Sequence, residues 1–338
     1  MVYTRQALAQ SSAEAVLRWR MAAVPAADDM VDLTGGLGMD SFALSRRGQR
    51  LHYVERSPEL LAIARHNHRL LGATGICHRQ GDAGDWQPLP DCHPDLLFVD
   101  PDRRAGLHRA VRLEDCEPDV LAYLPRWRRQ ASAVWLKLSP AFDLSLAVRQ
   151  LQPQRLTVVS VNGQVKELLV ACGAEEAVPR IEAVLLNAGG QVVQQYSADW
   201  AHWKDTVTAS AAASAWQACL YEPDPALIKA GLIGQLLDRF GLRQVKPGLA
   251  YLTGPETVSG FPGRAYRIDA VMPFQRKQAR RALRRLGIEA VQVHRRDFPW
   301  PPTQIYDSLG LRAGDQADLF FTRDAANKLQ MLITQRNF

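Results

Sequence analysis

Six short apolar runs, at 30–33, 51–54, 75–78, 96–99, 134–138 and 156–161, alternate with stretches of helical periodicity. Strands that alternate with helices form βαβ units, which build a parallel sheet covered on both faces. The pattern changes at Asn162-Gly163, which lies between the apolar runs 156–161 and 165–171. Asn-Gly suits the two positive-φ positions of a tight hairpin. The sheet is therefore expected to end in an antiparallel strand pair. A second hairpin is expected from 180–187 and 191–196 around Gly189-Gly190.

Around this block the reading is coarser. Residues 5–24 read as a helix, with Ala7, Leu8, Ala15, Val16, Trp19 and Ala22 near helical spacing. Residues 207–220 and 225–240 also read as helices, the second closed by Gly241. Phe261-Pro262-Gly263 marks a boundary. Beyond it, strands are expected at 265–271, 289–295, 318–322 and 329–335, and helices at 275–286 and 303–309. That is a small α/β module of its own.

At 338 residues the chain is long enough for two or three domains. It is 47% hydrophobic and 22% charged, as expected of a soluble globular protein, and holds no apolar run of membrane-spanning length. No charged-then-apolar leader opens it. The five cysteines are odd in number and widely spaced, without CxxC, and the histidines form no HExxH. That argues against a disulfide scaffold or a metal site and fits the cytoplasm. The net charge is +6, but its distribution is uneven: residues 221–338 carry +7 and residues 1–220 carry −1. A neutral part for chemistry and a basic part for docking on a polyanion is one reading; a solvated surplus of arginine is the other.

The sharpest segment is Val31-Asp32-Leu33-Thr34-Gly35-Gly36-Leu37-Gly38-Met39-Asp40, between a strand and a helix. Glycines there allow a tight turn and expose bare backbone at a helix N-terminus. The spacing is GGxG and not the dinucleotide GxGxxG. Asp32 would repel phosphates and attract an ammonium group. Glu55, followed by Arg56, ends the next strand, where an acid accepts hydrogen bonds from ribose hydroxyls. Asp82-Ala83 follows the third strand, within reach of an adenine amino group. Three carboxylates thus end three successive strands, at the edge where open α/β sheets bind ligands.

The fourth strand runs into Asp100-Pro101-Asp102-Arg103-Arg104. Arg103 and Arg104 either clamp a phosphate or pair with Glu114, Asp115 or Glu117. Lys137 lies inside the fifth apolar run, where burying its charge is costly. It either contacts a substrate or pairs with Asp100. The helix at 275–286 carries Arg276, Lys277, Arg280, Arg281, Arg284 and Arg285 in two adjacent rows. That face either tracks phosphates or is simply solvated.

The ordered set Asp32, Gly35/Gly36/Gly38, Glu55 and Asp82, with the hairpin at Asn162-Gly163, resembles class I S-adenosylmethionine-dependent methyltransferases over residues 28–172. Further segments resemble a bacterial group of these enzymes with a C-terminal THUMP-like domain. They are Asp100-Pro101-Asp102-Arg103-Arg104, Arg112-Leu113-Glu114-Asp115-Cys116-Glu117-Pro118, Lys137-Leu138-Ser139-Pro140, Tyr221-Glu222-Pro223 and Phe261-Pro262-Gly263-Arg264. That group has DPARR where this chain has Asp102, and this chain opens short of an upstream helical segment. Amino-group enzymes have (D/N)PP(Y/F/W) there, and the aromatic is absent.

The resemblance implies an α/β fold: a Rossmann-like sheet of seven strands, the last antiparallel, then small α+β modules. The implied domains are an N-terminal helical segment (1–28), the methyltransferase domain (29–175), a ferredoxin-like middle domain (176–260) and the THUMP-like domain (261–338). It implies S-adenosylmethionine across Asp32, Thr34, Gly35, Gly36, Gly38, Glu55, Arg56, Asp82, Ala83 and Asp100. Asp100, Pro101 and Lys137 would be catalytic. Arg103, Arg104, Arg276, Lys277, Arg280, Arg281 and Arg284 would hold substrate. The implied partner is RNA (tRNA or rRNA), with no membrane, no metal and no obligate protein partner. A small-molecule or protein acceptor, or a non-catalytic RNA-binding role, are the alternatives.

Overall fold

The first five βα alternations order the chain as the apolar runs predict. The computed structural model describes residues 3, 12–88, 93–103, 112–173, 178–203 and 215–336. It divides into two units, Met1–Ala201 and His202–Phe338.

Among the described residues the first unit begins with helix α1 (Glu14–Ala23) and strand β1 (Ala27–Asp32); of the helix expected at 5–24, residues 5–11 lie outside the described residues. Then come α2 (Met39–Ser45), β2 (Gly48–Glu55), α3 (Pro58–Leu70), β3 (Ile76–Gln80) and β4 (Leu96–Val99). Next are α4 (Val120–Gln130), β5 (Ala133–Leu138), α5 (Leu144–Leu151), β6 (Arg155–Val161) and β7 (Gln164–Gly173). Local chemistry starts the helices. Ser57, Asp119 and Asp143 each accept a backbone N–H in the first turn of α3, α4 and α5, and Pro58 presets the first turn of α3.

Strands β1 to β5 are parallel, with β1 between β2 and β4. Asn162 and Gly163 both take positive φ, 48° and 75°. They turn β6 back into β7, which lies antiparallel to both β5 and β6. The hairpin β8 (Arg180–Leu186) and β9 (Val192–Asp199) then joins the same sheet. The order is β3-β2-β1-β4-β5-β7-β6-β8-β9, nine strands where the resemblance implies seven. The outer edge of β6 is the reason. Unpaired N–H and C=O groups there are satisfied by β8, in parallel register from Arg180↔Arg155 to Leu186↔Val161. So this hairpin, expected to begin a middle domain at 176, belongs to the first unit. The core beneath the sheet gathers Val16, Trp19, Met30, Leu44, Phe98, Trp135 and Leu169.

The second unit comprises β10 (Cys219–Pro223), α6 (Pro225–Ala230), α7 (Gly234–Phe240), β11 (Arg243–Gln244), β12 (Leu252–Gly254) and β13 (Gly263–Pro273). It continues with α8 (Arg276–Arg285), β14 (Ala290–Arg295), α9 (Pro302–Leu309), β15 (Arg312–Ala313), β16 (Ala317–Arg323) and β17 (Leu329–Arg336). Its sheet runs β11-β12-β10-β13-β17-β16-β14-β15. This crosses the boundary expected at 261, because β10 pairs with β13 from Cys219↔Arg267 to Pro223↔Gly263. A side chain on Gly263 would lie 2.1 Å from the Glu222 carbonyl oxygen, so the approach requires glycine.

Two helical expectations change here. Cys219 and Leu220 open β10 and do not end a helix at 220; residues 204–214 lie outside the described residues. The helix expected at 225–240 is two helices, parted at Gly231 with φ 68°. Gly241 caps the second as expected. Among the described residues, no helix is long and apolar enough to cross a membrane.

Helix α8 buries only Ala279 and Leu283, which pack on Phe298, Ile305, Leu309 and Phe321. Leu283→Ala should therefore destabilise the second unit by about 2–5 kcal/mol, read as a lower urea midpoint.

Candidate active site at the carboxyl edge of the first sheet

Strand β1 ends at Asp32, and the chain then turns through Leu33 to Gly38 into α2. The Asp32 carboxylate is buried beneath this loop. It accepts the Thr34 backbone N–H at 3.1 Å and the Ser41 hydroxyl. Burial pushes its carboxyl up to about 6, against the pull of those two donors. Asp32 thus shapes the loop from below and does not line the cavity above it.

Tyr53 on β2 packs against the same loop. A Cβ at Gly35 would lie 2.1 Å from its ring, and its hydroxyl donates to the Gly36 carbonyl at 2.7 Å. Gly38 has φ 80°, and a Cβ there would meet His68 Nε2 at 2.4 Å. That nitrogen donates to the Gly38 carbonyl at 2.7 Å, while His68 Nδ1 lies 2.8 Å from His78 Nε2. Burial holds both imidazoles below the usual histidine range. The glycines are therefore required by packing from behind as well as by turn geometry.

Above the loop lies a cavity of about 570 Å³. Thr34, Gly35, Gly36, Glu55, Arg56, Asp82, Ala83 and Asp100 line it. Glu55 accepts the Gly36 N–H at 2.9 Å and the Ser57 N–H at 2.7 Å. Asp82 accepts the Gly84 N–H at 2.7 Å. Sequence reasoning gave no role to Ser12, Asp40, Asp119 or Tyr123, which also line the cavity. Asp40 closes the glycine motif, so its position was a signal. Tyr123 carried none, being one apolar residue on a helix. Arg56 forms an ion pair with Glu117, another lining residue.

Asp100 follows β4 and donates its backbone N–H to Thr34 Oγ1 at 2.6 Å. Its carboxylate pairs with the Lys137 ammonium. Lys137 also lies 3.4 Å from Asp40. Of the two readings of this lysine, the structure shows the ion pair. Burial pushes the Asp100 carboxyl above its ordinary value, partly offset by Lys137. Pro101 is half-buried and is not among the lining residues. Arg103 sits in a two-residue strand paired with Cys116, and Arg104 lies outside the described residues. Glu117 and Glu114 are engaged by Arg56 and by Gln150. Arg276, Lys277, Arg280, Arg281 and Arg284 belong to the second unit, all exposed on α8.

Residues 263–336 match the family model described as THUMP domain-like. Over 329 residues, the chain is 27% identical to proteins from two Mycobacterium tuberculosis strains, CDC 1551 / Oshkosh and ATCC 25618 / H37Rv. Both are described as uncharacterised S-adenosylmethionine-dependent methyltransferases, and the match covers 97% of this chain and 86% of theirs. A crystal structure from Porphyromonas gingivalis W83, provisionally described as a methyltransferase, is similar with a TM-score of 0.86. It shares 29% identity, over 99% of this chain and 83% of that one. Strand order and the reversed β7 are those of a class I methyltransferase sheet, and the similar proteins support an S-adenosylmethionine-dependent methyltransferase. In this chain that core is followed by a THUMP-like domain.

The Asp32 carboxyl makes a testable contribution to stability. Its folded value lies above the ordinary 3.8, so the stability it supplies while protonated is lost as pH rises from about 4 through about 6. The difference amounts to about 3 kcal/mol. Urea unfolding from pH 4 to 7 should show this component in the wild type and its absence in Asp32→Asn.

Proposed function

We propose that the protein transfers a methyl group from S-adenosylmethionine to a nucleobase of structured RNA, either tRNA or rRNA. The observation that carries this reading is a pairing of opposites in one chain. A carboxylate-lined cavity stands over bare glycine backbone in the first unit. An exposed cationic helix lies within the THUMP-like domain.

The residues present suit the cofactor. Gly35 and Gly36 leave open backbone, and a side chain at Gly35 would already collide with Tyr53 on its other side. Glu55 would hold the ribose hydroxyls and Asp82 the adenine amino group, with Thr34, Arg56 and Ala83 completing the walls. Asp32 and Gly38 would act on the cofactor only through the loop they shape. Bound there, the cofactor supplies an electrophilic methyl group on a positively charged sulfur.

The rest is the work of this chain. Asp40, Glu55, Asp82, Asp100, Asp102, Glu117 and Asp119 all line the cavity. Such a wall repels phosphate and favours a cation or a neutral group that donates hydrogen bonds. An unstacked base fits that requirement, whereas the sugar-phosphate backbone does not. Asp100 would orient the acceptor group or take the proton it releases. The Pro101 carbonyl would help orient the acceptor, and Lys137 would hold Asp100 in place. Arg103, Arg104 and the arginines of α8, with Lys277, would bind phosphates.

Purified protein should be incubated with methyl-labelled S-adenosylmethionine and bulk RNA from cells lacking the gene. Label should enter RNA with the wild type and be lost with Asp100→Ala. Absence of label despite measurable cofactor binding would move the acceptor to a small molecule or a protein.

The docking half is tested separately. Replacing Arg280, Arg281 and Arg284 together by alanine should weaken RNA binding roughly tenfold or more and flatten its salt dependence. An unchanged affinity would separate the helix from the substrate. Gly35→Ala should abolish cofactor binding in calorimetry, because the loop cannot keep both its path and Tyr53.

A further inference from the structure

The cavity is wired to the interior by a row of alternating charges, two of whose members, Arg20 and Glu167, lie outside the sequence motifs. Glu167 on β7 pairs with Arg20 on α1. Arg20 pairs in turn with Asp40 at the start of α2, and its guanidinium lies 5.1 Å from the centroid of the Phe98 ring. Asp40 faces Lys137 on β5, and Lys137 pairs with Asp100 after β4. Ser12 donates a further hydrogen bond to Asp40 at 2.9 Å. Three carboxylates thus alternate with two cations.

Burial grades this row. The Arg20 side chain is fully buried and that of Glu167 is 4% exposed, whereas Asp100 is 33% exposed. The row therefore ends in its most exposed member, Asp100, which lines the cavity together with Asp40. Stability alone gives no reason for such a row. Replacing a buried ion pair by apolar side chains is often neutral or stabilising. A row that ends on the candidate proton acceptor has a functional use instead.

We propose that Arg20, Asp40 and Glu167 are positioning residues that act through Lys137 on the Asp100 carboxylate. Asp40 and Asp100 compete for one ammonium group. Arg20 takes up part of the Asp40 charge, which leaves Lys137 free to lean on Asp100. Glu167 in turn draws on Arg20. The charged groups acting on Asp100 are thus Lys137 from β5, Arg20 from α1 and Glu167 from β7, while Asp40 from α2 reaches it through Lys137. The N-terminal helix therefore belongs to the reaction site, although it contributes no residue of the glycine motif. This inference deepens the methyl-transfer reading, and its test needs no methyl acceptor.

The test is carboxyl-¹³C NMR of aspartate-labelled protein, with the Asp100 signal assigned by Asp100→Asn and followed against pH. Arg20→Met removes a cation that favours ionised Asp100, so its midpoint should rise by about half a pH unit or more. Glu167→Gln removes a carboxylate and should move the midpoint down. Asp40→Asn should also move it down, because Lys137 is then left with one carboxylate. Arg20→Lys, which keeps the charge, should stay near the wild type.

Midpoints that do not move, or that move the same way in Arg20→Met and Glu167→Gln, would overturn the proposal. Should Arg20→Met fail to fold, Glu167→Gln decides alone, its downward shift supporting the row and an unchanged midpoint refuting it. Calorimetry with S-adenosylmethionine on the same samples separates the two ideas. Midpoints that shift as expected in a protein that binds no cofactor would leave the charge row standing and remove the methyl-transfer reading.

Discussion

The structure of the first unit turns on how six residues of backbone are held between two carboxylates. Asp32 grips the loop from below through Thr34 and Ser41, and Glu55 grips it from the side through Gly36. These acids end adjacent parallel strands, in a register that sets Asp32 opposite Tyr53. The same register brings the Tyr53 ring against Gly35. A buried carboxylate is costly, and the raised value of Asp32 reflects that cost. The two hydrogen bonds offset part of it, and the result is a loop with its backbone open toward the cavity.

Electrostatics divide the molecule in the same sense as its sheets. The carboxylates collect at the edge where the parallel strands end, over the glycine loop. The cations collect on the outer face of α8, whose inner face is the apolar pair Ala279 and Leu283. On the reading proposed above, a polyanion is repelled at the cavity and attracted at α8, so only a part of the RNA without phosphate charge would suit the cavity.

Much of the fold was legible because its signals are local. Apolar runs located β1 to β6, the Asn162-Gly163 pair located the reversal into β7, and Ser57-Pro58 located the start of α3. Strand ends likewise located Glu55, Asp82 and Asp100 at one edge. Periodicity reports burial along a segment, so it did not separate α6 from α7, where a glycine breaks one amphipathic pattern into two. Nor did it show that 219–220 belong to a strand. A pairing edge is a non-local property, and the chain decides it only once β13 lies beside β10.

The sequence by itself determined the parallel core, its reversed strand, the glycine loop and the acids around it. Each depends on neighbours within one turn or one βα unit. Tertiary structure alone decided that the 180–199 hairpin extends the first sheet, because β6 left an edge to be paired. It decided too that Asp32 works from beneath the loop. Finally, it joined Arg20, Asp40 and Lys137, which lie 20 and 97 residues apart, into one row of charge. No spacing rule links positions that distant, because only the packing of α1 and α2 on each other and on the first sheet brings their side chains together.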